Sequence, residues 1–395
     1  MTVIAVVFWL ACGLIAYTHA GYPLALAALV RMRGKGADQH EGERGLADAP
    51  LTSGAVDDGA ESARLPRVSL IVAAYDEQDV IAGKVANALA LDYPREMLQV
   101  IVASDGSSDA TVERARAAGA DLVLDLARGG KIAAQNAAAG QATGEVLAFS
   151  DANSAWAPDA LRRLVEPFAD PSAGYVCGQV RFVGPDGGNL EGAYWRYEMA
   201  VREMESSLAG ITAGNGAIYA VRAAAYLPLS PSGSHDLSFP FLLAKKKLRS
   251  IYVEQARAEE KMVPSLEGEL TRKRRMMVGL WDIVVGEGML RPGGYRPLYA
   301  FELFSHRLLR YLSPFLHLTA LAANLALLGQ GWVYAATLLF QLGLLGAAAL
   351  GRWVPLTPLR VARYYVMTTV SIAAGLWDRA RGGPPGAWEK AEGTR

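Results

Sequence analysis

Two blocks of this 395-residue sequence carry no charge at all. Residues 1–30 and 311–351 contain no Asp, Glu, Lys or Arg, so all 39 basic and all 39 acidic residues fall on the remainder. About 20 apolar residues suffice to cross a bilayer as a helix. Residues 1–30 exceed that and lack the basic leader and short apolar core of a cleaved signal peptide. They predict an N-terminal transmembrane helix. Arg31, Arg33 and Lys35 follow at once, which sets its C-terminal end on the cytoplasmic side. Near the other end, Tyr311–Leu328 and Trp332–Leu350 flank Gly329-Gln330-Gly331, the pattern of a helical hairpin. Arg307 and Arg310 before it, with Arg352, Arg360 and Arg363 after it, keep both its ends cytoplasmic.

The expected order is therefore a membrane helix over 1–30, a linker over 31–65 and a cytoplasmic domain over 66–298. An amphipathic interfacial helix follows over 299–310, then a C-terminal membrane region over 311–377 and a cytoplasmic tail over 378–395. The linker is rich in Gly, Ala, Asp and Glu without periodicity, which predicts a flexible tether. Within the C-terminal region, Tyr364–Trp377 is short for a span and is expected to be re-entrant or interfacial. A formal net charge of zero argues against a nucleic-acid partner. Two cysteines, Cys12 and Cys177, exclude a disulfide framework and a cysteine-based zinc site.

The polar domain alternates strand and helix signals. Val68–Tyr75, Gln99–Ser104, Asp121–Leu126 and Glu145–Ser150 are short apolar runs suited to buried parallel strands. Helical spacing fills the gaps at Asp79–Leu91, Asp109–Ala118 and Lys131–Gln141. This predicts an α/β fold with a doubly wound, mostly parallel sheet. Ligands of such sheets bind at the C-terminal strand ends. The polar clusters fall there: Asp76-Glu77, Asp105 to Asp109, and Asp151-Ala-Asn153. No Gly-x-Gly-x-x-Gly follows the first strand and no Walker lysine loop exists, which excludes the usual nicotinamide and P-loop sites.

The runs VSLIVAAYDE (68–77), VASDGSSD (102–109), GGKIAAQN (129–136) and FSDAN (149–153) resemble the nucleotide-sugar-binding half of family 2 glycosyltransferases. The resemblance continues through AGNGAIY (213–219), SHD (234–236) and RKRR (272–275), covering roughly residues 66–310. It implies a GT-A fold, with flanking membrane helices typical of many members.

The resemblance also implies roles for residues. Asp105 matches the aspartate that hydrogen-bonds the nucleobase; a carboxylate accepts from an imide N–H such as uracil presents. Tyr75, Asp76 and Glu77 match residues lining base and ribose, with Asp76 replacing the usual Asn. Lys131 and Asn136 match a stretch near the nucleotide and donor sugar; a lysine opposes the helix dipole there, which hints at an anionic neighbour, although a solvated lysine is the plainer alternative. Asp151 and Asn153 fall where the family has Asp-x-Asp, expected to hold Mg²⁺ or Mn²⁺ together with the donor phosphates. Gly214, Asn215 and Gly216 fall on the acceptor side. Asp236 matches the catalytic base, with His235 at a position usually acidic. Arg275 matches the diphosphate arginine of processive members, but Met276 stands where they carry a tryptophan.

These residues together predict a membrane-bound, inverting transferase. It would move sugar from a nucleotide-sugar, UDP favoured, to a lipid-linked or saccharide acceptor at the cytoplasmic face of the cell membrane. The departures at Asn153, His235 and Met276 leave a second expectation open, a non-catalytic nucleotide- or lipid-binding subunit of a glycan assembly complex.

Overall fold

The computed structural model describes residues 2–44, 65–183, 193–231, 233–261, 276, 277, 279–354 and 356–382. The chain opens with Thr2–Ala16 (α1), continued through a π-helical turn at Tyr17–Gly21 into Tyr22–Arg44 (α2). The helix thus runs on through the first part of the segment expected as linker; residues 45–64 lie outside the described residues.

The expected alternation then appears. Its elements are Val68–Ala74 (β1), Ile81–Leu89 (α3), Leu98–Asp105 (β2), Thr111–Ala117 (α4), Leu122–Leu126 (β3), Lys131–Ala139 (α5) and Val146–Asp151 (β4). Every residue of β1 is buried, as a central strand covered on both faces requires. It pairs in parallel with β2 and with β4, and β2 pairs in parallel with β3. All four strands therefore end on the same side.

The second half departs from simple alternation. It contains Ala155–Trp156 (β5), Ala160–Val165 (α6), Ala173–Val183 (β6), Ala193–Ser207 (α7), Ile218–Arg222 (β7), His235–Lys245 (α8) and Arg249–Lys261 (β8). The sheet order is β3-β2-β1-β4-β7-β6-β8-β5. β7 runs antiparallel to β4 and to β6, so its entry loop, 213–217, lands beside the exit of β4. That reversal gathers residues far apart in sequence at one strand-end crevice. Three apolar clusters line the sheet, one around Leu70, Trp156 and Val176, another around Ile71, Phe149 and Tyr219, and a third around Val72, Val102 and Ile81. Truncating Ile71 to Ala in such a setting costs about 2–5 kcal/mol.

Pro297–Glu302 (α9) passes through π-helical turns at Leu303–Leu308 directly into Leu309–Ala326 (α10). The expected interfacial helix is thus continuous with the first arm of the hairpin. Trp332–Leu350 (α11) is the second arm, and the short third segment is part of a 24-residue helix, Thr357–Ala380 (α12). Among the described residues, Thr2–Arg33 and Trp332–Leu350 are long and apolar enough to cross a membrane. α10 packs along α1 through Phe8, Ala11, Ala320, Ala323 and Leu327. Trp332, Leu339 and Phe340 are exposed on α11.

A buried polar network joins these helices to the sheet domain. Tyr22 donates to Glu205 Oε1 at 2.6 Å, His306 Nδ1 lies 2.6 Å from the same oxygen, and Arg310 pairs with Glu198 at 2.8 Å. A second tie links α12 to the segment after the basic motif, through Arg379–Asp282 at 2.6 Å and Trp281 Nε1 donating to the Ile372 carbonyl at 3.0 Å.

Candidate active site

The exits of β1 and β2 are laced together. Asp76 adopts φ +48°, a left-handed conformation that Asp and Asn tolerate better than most residues. This explains why Asp can stand where Asn is usual. Its amide donates to Ser107 Oγ at 3.0 Å, and its carboxylate accepts from the Ser108 amide at 2.7 Å. Glu77, buried, donates its amide to Thr111 Oγ1 at 2.7 Å. Asp109 accepts from the Thr111 and Gln78 amides, closing the turn into α4.

Asp105 is 1% exposed, and the loop before α5 wraps its carboxylate. Gly129 N (2.6 Å) and Gly130 N (2.9 Å) donate to Oδ1, and Arg128 Nη1 (2.7 Å) donates to Oδ2. Gly130 sits at φ +93°, where a side chain would be strained. The Arg128 guanidinium also lies over the Tyr75 ring, 3.3 Å from its centroid. Arg128 is the site residue that sequence reasoning missed. Its only signal was its place just before Gly-Gly-Lys, indistinguishable there from a solvated arginine.

β4 delivers Asp151, and the Asp151–Ser154 turn follows, with the Ser154 amide donating to the Asp151 carbonyl at 3.3 Å. From α5, the Lys131 ammonium rests on Asp151 Oδ1. A Cβ placed on Gly216 would lie 3.5 Å from Lys131 Nζ, so the 213–217 loop closes over the same point. Burial works against the Lys131 ammonium, but Asp151, with Asp236 and Glu260 further off, holds its pKa above the usual lysine value. Asp151, Lys131 and Gly216 are thereby brought to one place, and Gly214 of the same loop is bonded to the Asp236 backbone.

Asp236 lies in the first turn of α8, where the helix dipole favours a carboxylate. Ser234 Oγ donates to its Oδ1, and its carbonyl accepts from the Gly214 amide at 2.7 Å. Oδ2 has no hydrogen-bond partner among the described residues. His235 turns the other way, into the core. Its Nδ1 is 2.6 Å from Tyr219 Oη, which Gln135 Nε2 also approaches at 3.2 Å, and its ring packs on Phe149, Tyr226 and Phe239. Burial first, and then the Lys131 charge, push its pKa down to about 3. A neutral His235 is a packing residue under the base.

Other expected site residues are occupied with shaping loops. Asn136 donates to the Leu229 carbonyl at 2.8 Å and accepts from Tyr226 Oη at 2.8 Å, tying α5 to the loop that leads to α8. Asn215 donates to the Gly178 carbonyl (2.6 Å) and accepts from Ile218 N (2.9 Å). Gly214 presses on the Tyr175 hydroxyl, leaving no room for a side chain. Arg275 lies outside the described residues.

Among the described residues, no three His, Cys, Asp or Glu side chains converge to hold a metal unaided. One carboxylate, Asp151, and the Asn153 amide suit a hard divalent cation that takes its other ligands from phosphate oxygens. The donor set fits a cation bound together with a diphosphate.

Comparisons with known proteins agree with this architecture. Residues 69–225 match the family described as Glycosyl transferase family 2. Glycosyltransferase AglE of Haloferax volcanii is 30% identical over 135 residues, covering 33% of this chain and 44% of that protein. Beta-monoglucosyldiacylglycerol synthase of Synechocystis is 34% identical over 139 residues, covering 33% of this chain and 28% of that protein. The matched stretch thus spans less than half the length of either relative. The mannosyltransferase PcManGT of Pyrobaculum calidifontis, solved with GDP-Man and Mn²⁺, superposes with a TM-score of 0.69 at 25% identity, covering 96% of this chain and 100% of that one. The fold is that of the GT-A glycosyltransferases.

Proposed function

We propose that this chain, which belongs to the family 2 glycosyltransferases through residues 69–225, is a membrane-anchored inverting enzyme. It transfers sugar from a nucleotide-sugar to a lipid-linked or saccharide acceptor at the cytoplasmic membrane face. The observation that carries this is the convergence of two carboxylates with separate duties. Asp151 touches Lys131 beneath the 213–217 loop, and the Gly214 amide of that loop donates to the Asp236 carbonyl.

Asp236 acts as the base. Its Oδ2 takes the proton of the acceptor hydroxyl as that oxygen attacks the anomeric carbon; the bond from that carbon to the phosphate oxygen breaks on the opposite face, the nucleoside diphosphate departs with the electron pair, and the sugar ends on the acceptor oxygen with inverted configuration. Ser234 donates to Oδ1 and fixes the carboxylate's rotation. Lys131 neutralises negative charge gathering on the departing nucleoside diphosphate, and Arg275 serves the same group. Asp151 and Asn153 would hold Mg²⁺ or Mn²⁺ against the diphosphate, supplying further charge neutralisation. Tyr75, Arg128 and Asp105 receive the base, and Asp76 and Glu77 lie beside the ribose. UDP is the favoured donor nucleotide because its imide N–H suits Asp105 once the Arg128 guanidinium that covers Tyr75 and Asp105 moves aside; the neighbouring structure holds GDP-Man, so guanine belongs in any test.

Anchoring is supported by the two apolar helices and by the exposed Leu339 and Phe340 on α11. The basic residues beside them favour a cytoplasmic domain. Membranes carrying the chain should release nucleoside diphosphate from one member of a labelled panel of UDP-, GDP- and dTDP-sugars with Mn²⁺ or Mg²⁺. The product should have the opposite anomeric configuration to the donor by NMR. Tight nucleotide binding without turnover of any donor would favour the non-catalytic subunit instead.

A further inference from the structure

One buried cation takes no part in the chemistry above. Lys84, on α3, is 3% exposed. Its ammonium donates to the Ser154 carbonyl at 2.7 Å and lies 5.0 Å from the centroid of the Trp156 ring. One helical turn on, Asn87 exchanges two hydrogen bonds with the Trp156 backbone, both at 2.9 Å. The Trp156 indole in turn donates to the Ala217 carbonyl at 3.0 Å, in the loop beside Lys131. α3 therefore grips the chain immediately after Asp151-Ala-Asn153 by three side-chain bonds.

Burying a lysine away from water costs several kcal/mol, and an apolar residue of similar length fills the same space without that cost. No carboxylate pairs directly with Lys84 among the described residues; Asp151 and Glu260 act on it only through space. Burial pulls its pKa down to about 7. A buried lysine whose one hydrogen bond among the described residues goes to the carbonyl that ends a ligand-bearing turn has a positional explanation.

We propose that Lys84 is a positioning residue for the donor site: by holding Ser154, it fixes the Asp151–Asn153 turn so that both side-chain oxygens face the cation and diphosphate together. The role rests on the proposed function of Asp151 and Asn153. It differs from simple stabilisation, since a residue that only stabilises the fold leaves the ligand affinity of folded molecules unchanged. Groups behind metal ligands change metal affinity by about ten- to a hundredfold when removed.

The test uses the full-length chain in detergent, with UDP and GDP binding measured calorimetrically with and without Mn²⁺. Lys84→Met should fold, with a melting temperature equal to or above wild type. Its Mn²⁺-dependent gain in nucleotide affinity should fall about tenfold, with nucleotide binding in the absence of Mn²⁺ unchanged. Asn87→Ala should shift the gain in the same direction by less, and it decides the matter if Lys84→Met does not fold. A wild-type gain retained in full by the folded variants overturns the role of Lys84. Wild type lacking any Mn²⁺-dependent gain with either nucleotide overturns the cation site itself, and this role with it.

Discussion

The Lys131 ammonium rests on the Asp151 carboxylate, at the point where the loop carrying Gly216 closes over the end of β4. An ammonium and a divalent cation repel one another and compete for the same oxygen. Cation binding should therefore depend on a diphosphate that draws Lys131 away. Lys131→Met should bind Mn²⁺ alone about tenfold more tightly than wild type, about 1.4 kcal/mol, while losing affinity for UDP or GDP in the presence of Mn²⁺. Electron paramagnetic resonance of free Mn²⁺ measures the first effect. Weaker Mn²⁺ binding by the variant would contradict competition.

Arg128 bridges Tyr75 and Asp105. Removing it leaves a buried carboxylate with amide partners but no cation. Arg128→Ala should lose about 1–3 kcal/mol of stability and weaken nucleotide binding several-fold, with the Mn²⁺-dependent gain intact. Paired melting and calorimetric titrations separate the two effects. A loss confined to the Mn²⁺-dependent gain would move Arg128 from the base to the phosphates.

His235 gives the fold a defined acid sensitivity. Its folded pKa of about 3 lies below the usual 6.5, so between these values the unfolded chain binds the extra proton. The stability tied to neutral His235 is complete above about pH 6.5 and is lost as pH falls toward 3. His235→Asn, which can still accept from Tyr219, should melt with a shallower dependence on pH between 6.5 and 4. An unchanged slope would show that other groups govern acid unfolding.

Glu302 has the opposite sign. Burial first, and then Glu205, raise its pKa to about 9, so the folded state holds a proton that the unfolded state releases above about 4.5. Its contribution declines as pH rises toward 9. Glu302→Gln should match wild type near pH 5 and exceed it in melting temperature at pH 8.5. Equal melting temperatures at both pH values would contradict a protonated Glu302.

The sequence was most informative where one element type obeys one rule. Three of the four parallel strands, β1, β2 and β4, are buried almost throughout, so their apolar runs, such as Val68–Ala74, announced themselves, and polar residues marked their ends. β8 was not legible: its alternately buried and exposed residues include Glu254, Arg257 and Glu259, which read as solvated chain without knowledge of the partner β6. Asp151 and Asp236 were legible as candidate residues, but the 213–217 loop that links their surroundings lies beside the end of β4 only because β7 is antiparallel, a tertiary fact. Arg128 and Lys84 were invisible for a related reason. A basic side chain declares a buried partner only when the fold supplies one, and the partners are a carboxylate 23 residues away and a carbonyl 70 residues away. Asn136 shows the converse, a motif residue whose amide holds Leu229 and Tyr226 together.

The central claim is that Asp236 is the base of a glycosyl transfer. The direct measurement is release of nucleoside diphosphate from the active donor by membranes carrying wild type or Asp236→Asn, with nucleotide affinity measured alongside. The variant should release product about 10²- to 10⁴-fold more slowly while binding UDP or GDP with Mn²⁺ as wild type does. Release at the wild-type rate from Asp236→Asn would contradict the account.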